Sequence, residues 1–151
     1  MQYLGGKSRL ANDVAALINA LPRRKKSDCA GDSGNPVKLR GGGGFISLFC
    51  GSCAIEAKVK GFDRMILNDK HKYLIALLKA VQQGYDPPDV VTEEEYAAIK
   101  ANKDTDPALT GFVGFGCSFG GKFFGSYARN AENTNYAAQS KRSLLKDMAA
   151  L

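Results

Sequence analysis

Apolar residues recur at helical spacing near the start of the chain. Leu10, Val14, Leu17, Ile18 and Leu21 mark one face of an amphipathic helix over residues 8–20, with Ser8 as its N-cap and Pro22 as its stop. The pattern then lapses. Residues 22–44, PRRKKSDCAGDSGNPVKLRGGGG, join a basic cluster to turn formers and four consecutive glycines, and hold too little apolar surface to order themselves. A flexible surface loop is expected there. FISLF at 45–49 is a short apolar run bounded by glycine, as in a strand buried on both faces of a parallel sheet.

Gly51-Ser52 should then turn the chain into a short helix over 53–60. RMILN at 64–68 reads as a second buried strand, and HKYLIALLKAVQQ at 71–83 as a strongly apolar helix ended by Gly84. The order strand, helix, strand, helix implies a right-handed crossover and a parallel sheet, hence the α/β class. Thr92 followed by Glu93, Glu94 and Glu95 is a capping-box signature that opens a helix to about residue 102. Another helix is expected over 106–117, an aromatic, glycine and basic loop over 118–130, and a return to helical pattern over 137–150. No internal repeat is visible.

A chain of 151 residues with 44% hydrophobic and 24% charged residues has the size and composition of one globular domain. No apolar run nears the roughly 18 residues needed to cross a bilayer, and the N-terminus lacks a secretory signal, so a cytoplasmic protein without a membrane partner is expected. Cys29, Cys50, Cys53 and Cys117 then read as reduced thiols. The net charge of +6 suits a polyanionic partner, because Lys and Arg side chains release condensed counterions from nucleic acid.

Two segments could carry chemistry. FISLFCGSCAIE at 45–56 followed by ILND at 66–69 gives a strand, a glycine turn, a helix and a second strand ending in Asp69. In a doubly wound sheet the ligand lies at the carboxyl ends of adjacent strands, where an acid can accept from ribose hydroxyls. Of the dinucleotide fingerprint only Gly51 remains, which disfavours a pyrophosphate ligand. The same spacing also suits an ordinary strand and turn in which Asp69 caps the next helix. YLGGKS at 3–8 ends like a phosphate loop but has Met1 where the first glycine should stand and no strand before it.

YLGGK at 3–7, LFCGSCAIE at 48–56, ILND at 66–69 and FVGFGCSFGGKFFGSYARN at 112–130, in that order, resemble the phage and bacterial Dam-type DNA adenine methyltransferases. The resemblance implies a Rossmann-like S-adenosylmethionine-dependent methyltransferase fold, incomplete and helix-rich in this chain. It makes Tyr3 and Lys7 cofactor residues, sets the Phe-x-Gly turn on Phe49, Cys50 and Gly51 with Ser52 next in line, and assigns the ribose-binding acid to Asp69. Family members commonly carry Glu-Pro before the glycine turn, whereas Ser47-Leu48 stand here.

Residues 106–136 correspond to the DNA-facing subregion. Lys122, Arg129 and Asn130 are the candidates for double-stranded DNA, with Phe123, Phe124 and Tyr127 able to stack on bases or, for the phenylalanines, to join the core. The implied reaction moves a methyl group from S-adenosylmethionine to the exocyclic amine of a flipped adenine, which the family grips with Asp-Pro-Pro-Tyr. The chain holds Asp86-Pro87-Pro88, but it follows a helix, precedes the DNA-facing segment and is followed by Asp89, which cannot stack. It reads as a linker between helices.

The expectation is therefore the front part of a methyltransferase domain, lacking the C-terminal half with its catalytic motif, marginally stable and inactive as an isolated chain. Two rivals stand beside it: a non-catalytic remnant that binds DNA or cofactor, and an RNA-binding protein using residues 118–130. Cys50-x-x-Cys53 lacks the second pair that a zinc site needs, and His71 is the lone histidine, expected in the first turn of its helix, in solvent or near the adenine pocket.

Overall fold

The computed structural model describes residues 9–21 and 43–151. The first helix, α1, spans Ala11–Ala20, and Leu21 after it is extended (φ −63°, ψ 136°), the conformation that a following proline imposes. Leu10 occupies the N-cap position with no side-chain cap, and Ser8, expected in that role, lies outside the described residues. The apolar stripe is only partly the buried one. Ala11 and Ala15 are buried, Val14 and Ile18 half-buried, and Leu10, Leu17 and Leu21 exposed; among the described residues α1 packs on the turn at Glu56–Lys58. Asn19 makes that contact, donating to the Lys58 carbonyl (3.1 Å) and accepting from Lys60 N–H (2.9 Å).

Strands β1 (Gly44–Ser47) and β2 (Arg64–Leu67) pair in parallel, with Phe45 opposite Met65 and Ile46 opposite Ile66. Gly44 thus belongs to a strand, which trims the C-terminal end of the loop expected over 22–44; the rest of that loop, 22–42, lies outside the described residues. The strands are not buried on both faces as their composition suggested. Ile46 is 61% exposed and Ile66 42%, since among the described residues the sheet has two strands and one covered face. The helix expected over 53–60 shrinks to a single 3₁₀ turn at Glu56–Lys58: Cys53 takes a left-handed φ of 61°, and Val59 is already extended.

Four further helices carry most of the core: α2 (Lys72–Gln82), α3 (Glu93–Ala101), α4 (Pro107–Gly116) and α5 (Tyr136–Met148). Three of them start on side-chain caps. Thr92 and Glu95 form the reciprocal capping box foreseen for α3, Asp106 accepts from Leu109 N–H ahead of Pro107, and Asn135 accepts from Ala138 N–H. Gly84, with φ 92°, closes α2.

Helix α4 lies at the centre, its stretch from Thr110 to Gly116 buried throughout. Glycine costs about 1 kcal/mol relative to alanine inside a helix, yet α4 holds three with distinct packing partners. A Cβ on Gly111 would strike the Tyr73 carbonyl of α2, one on Gly114 the rings of Phe123 and Phe124, and one on Gly116 the Ser140 side chain of α5. Each glycine lets a different neighbour reach the α4 backbone, and burial of Phe112, Leu74, Leu77 and Leu144 repays the lost propensity.

Candidate cofactor crevice and nucleic-acid interface

Parallel pairing places the ends of β1 and β2 side by side, and the ladder runs on beyond them. Asn68 N–H donates to the Ser47 carbonyl (2.8 Å) and Cys50 N–H to the Asn68 carbonyl (2.9 Å). The chain then turns at Gly51 (φ 53°), whose N–H donates to Asp69 Oδ2 at 3.0 Å; Asp69 Oδ1 accepts from His71 N–H at 3.0 Å. One carboxylate thus fastens the glycine turn to the start of α2. A carboxylate has about four lone-pair sites, so half-buried Asp69 retains acceptors for two hydroxyls.

The other sequence candidates in this region divide by exposure. Cys50, Gly51 and Ser52 are buried beneath the turn, whereas the Phe49 ring is 80% exposed beside it. Tyr3 and Lys7 lie outside the described residues. The Cys50 thiol is held below its ordinary value by a hydrogen bond from Cys53, against burial and the negative charges of Glu56 and Asp69. Cys53 is pushed far up by that same hydrogen bond and by burial. Among the described residues, no group of three or more His, Cys, Asp and Glu side chains could hold a metal ion.

Sequence reasoning missed Glu56. Its side chain reaches back under the turn, where Oε1 accepts from the Ser47 hydroxyl at 2.6 Å, and the residue is 4% exposed. His71 sits at the N-cap of α2, its ring edge-on to Phe115 (4.7 Å) and Phe123 (4.3 Å). Its Nδ1 is buried without a hydrogen-bond partner among the described residues, and desolvation lowers the imidazole pKa while Asp69 opposes the shift. A separate cavity of about 730 Å³ opens between β2, α2 and the end of α5, lined mainly by apolar residues such as Met65, Leu67, Ile75 and Leu145. Among its described lining residues are the polar Asp63, Lys79 and Gln82, but neither Gly51 nor Asp69.

The second candidate region starts in the core. Within residues 106–136, α4 is buried from Thr110 to Gly116, and most of what faces solvent is the loop after it. That loop is rigidly held. Ser118 pairs with Tyr127 in an antiparallel bridge, donates through Oγ to the Gly114 carbonyl (2.7 Å) and accepts from the Tyr96 hydroxyl (2.8 Å). The Tyr127 hydroxyl donates to the Val91 carbonyl at 2.7 Å. Phe123 and Phe124 pack into one aromatic cluster with His71, Tyr73, Tyr96 and Phe115, Phe123 stacking on Tyr73 at 5.6 Å.

Lys122 and Arg129 are exposed, although Arg129 pairs with Glu93 at 3.2 Å. The Asn130 side chain is engaged with Thr134, donating to its hydroxyl (2.8 Å) and accepting from its N–H (2.9 Å). Phe119, which sequence reasoning passed over, stands 69% exposed on the 3₁₀ turn Phe119–Gly121. The run of Ser118 and two glycines about it was the available signal.

Asp86-Pro87-Pro88 lies between α2 and α3, as its sequence setting suggested. Pro87 is fully buried, and Asp86 and Asp89 both pair with Lys141 of α5, at 2.8 and 3.0 Å. Among the described residues no helix is long and apolar enough to cross a membrane. No curated protein and no solved structure matches the chain. A family model does: that of the D12 class N6 adenine-specific DNA methyltransferases, over residues 3–109.

Proposed function

The chain belongs to the D12 class N6 adenine-specific DNA methyltransferases, and we propose that within this class it binds S-adenosylmethionine at the carboxyl ends of β1 and β2 of a Rossmann-like domain. The observation that carries the reading is the Gly51–Asp69 hydrogen bond, which holds a left-handed glycine turn and an acid with free acceptors at one end of a parallel pair. Asp69 receives the ribose hydroxyls, the backbone from Phe49 to Ser52 approaches the rest of the nucleoside, and Tyr3 and Lys7 complete the site. When bound, S-adenosylmethionine supplies an electrophilic methyl group.

Double-stranded DNA docks on the loop after α4. Lys122 and Arg129 neutralise phosphates, Tyr127 and Asn130 hold the loop in shape beside them, and the exposed ring of Phe119, rather than half-buried Phe123 and buried Phe124, is free to stack on bases. The adenine amine conjugates into its ring and must be gripped to react. Asp86-Pro87-Pro88 does not do this, because its carboxylate is committed to Lys141 and its first proline is buried. The reading is therefore a cytoplasmic methyltransferase stretch that binds cofactor and DNA, without turnover from these residues alone.

Calorimetric titration of the chain with S-adenosylmethionine tests the cofactor reading, and methyl transfer to duplex DNA tests the last clause. Saturable binding without transfer is expected. A folded chain that binds no cofactor sinks the proposal; transfer that disappears in Asp86→Ala would restore Asp86 to catalysis.

A further inference from the structure

Glu56 has a buried carboxylate that the reading above leaves unused. It comes from the 3₁₀ turn after the glycine turn, is 96% withdrawn from solvent, and among the described residues no ion pair reaches it. Its partner is the hydroxyl of Ser47, the last residue of β1. A carboxylate so far out of water is costly unless a cation or several donors meet it, and one hydroxyl is a small part of that requirement.

The position narrows what the cation is. Ser47, which holds Glu56, also accepts from the N–H of Asn68, the neighbour of Asp69, so the two carboxylates come from either side of the same paired strand ends, Glu56 beneath the glycine turn that Asp69 fastens. Asp69 is committed to the glycine turn and, on the reading above, to ribose. The hydrogen bond brings the Glu56 carboxylate back to the end of β1 from nine residues further on, on the strand whose end the proposed ligand meets.

We propose that Glu56, held by Ser47, receives the α-ammonium group of the methionine portion of S-adenosylmethionine. The inference rests on the proposed cofactor site and adds the group that tells the amino-acid end of the ligand from a plain nucleoside. Ser47 is the positioning residue: its hydroxyl occupies one lone pair of Oε1 and aims the remainder of the carboxylate.

The test compares S-adenosylmethionine with 5′-methylthioadenosine, which keeps the nucleoside and lacks both the amino-acid end and the sulfonium charge, by calorimetry on the whole chain. S-adenosylhomocysteine, which has the amino-acid end without that charge, should follow S-adenosylmethionine throughout, and its following 5′-methylthioadenosine instead would overturn the assignment. Wild type should prefer S-adenosylmethionine, and Glu56→Gln should weaken it about tenfold or more while leaving 5′-methylthioadenosine within about twofold. Asp69→Ala should weaken both. Should Glu56→Gln unfold, the double variant Ser47→Asp with Glu56→Ser returns a carboxylate to the strand itself, and recovered preference supports the assignment. Equal affinity of wild type for the two ligands, equal loss of both in Glu56→Gln, or a folded double variant without preference overturns it and leaves the cofactor site standing. A wild type that binds neither ligand removes that site as well.

Discussion

Gly51 and Asp69 are eighteen residues apart in sequence and joined by a 3.0 Å hydrogen bond from backbone N–H to carboxylate. Asp69 also anchors the first turn of α2 through His71 N–H, so a single side chain sets the distance between the glycine turn and the next helix. Its replacement removes the clamp that shapes the turn and, on the proposed function, a contact to the cofactor. Asp69→Ala should cost about ten- to hundredfold in affinity for S-adenosylmethionine, the scale of hydrogen bonds to a charged group. Titration calorimetry reads this directly, and unchanged affinity would separate Asp69 from the cofactor.

Salt dependence distinguishes the two basic residues of the loop from general surface charge. Lys122→Ala and Arg129→Ala should each flatten the plot of log affinity against log salt by about one unit for duplex DNA, without changing cofactor binding. Because Arg129 must first leave Glu93, Glu93→Gln should tighten DNA binding slightly. Fluorescence anisotropy across a salt series measures both, and parallel slopes for all variants would move the interface elsewhere.

Gly111→Ala places a methyl group against the Tyr73 carbonyl, a backbone atom of a packed helix that cannot swing away. Overpacking of this kind costs about 1–3 kcal/mol, more than the roughly 1 kcal/mol of helix propensity gained. The urea midpoint should fall. Gly44→Ala is the control, since its Cβ would meet nothing within 4 Å, and its midpoint should stay within about 0.5 kcal/mol of wild type.

His71 makes stability depend on pH in a defined direction. Burial lowers its pKa beneath the ordinary 6.5, so the folded chain binds this proton less readily than the unfolded chain does. Its contribution is present in full above 6.5 and is lost as pH falls through that value towards the folded pKa. Melting temperature should drop between pH 7 and pH 5, and the part of the drop due to His71 should vanish in His71→Gln. Identical pH profiles for the two proteins would show that the imidazole is neutral to folding. The shift is modest, because the ring is only partly withdrawn from water and Asp69 favours its charged form.

Signals confined to a few residues were legible in the sequence. Thr92 with Glu95 and Gly84 after α2 each act within one helical turn, and the structure has both. The apolar runs at 45–49 and 64–68 likewise marked the strands, which the structure has at 44–47 and 64–67. Burial was not, because it belongs to neighbours: the exposure of Ile46 reflects a sheet of two described strands, and the exposure of Leu17 reflects a helix that rests on a turn. The expected helix over 53–60 failed at Cys53, whose left-handed backbone has no compositional signature. The Ser47–Glu56 bond was invisible for the same reason, since its nine-residue span closes only through that turn. In the loop after α4 the residue types were readable as aromatic and basic, but which rings turn inward was settled by Gly114, whose missing side chain makes room for Phe123 and Phe124.

The hydroxyl of Tyr127 resting on the Val91 carbonyl has a mechanical consequence. Val91 immediately precedes the Thr92 cap, and Arg129, two residues beyond Tyr127, grips Glu93 in the first turn of the same helix. A load applied to this loop from outside therefore does not dissipate along slack chain; it arrives at the head of α3 through the Tyr127 hydroxyl on Val91, and through Arg129 as well while that side chain stays on Glu93. Loop and helix move as one lever, and anything that docks on the first registers at the second.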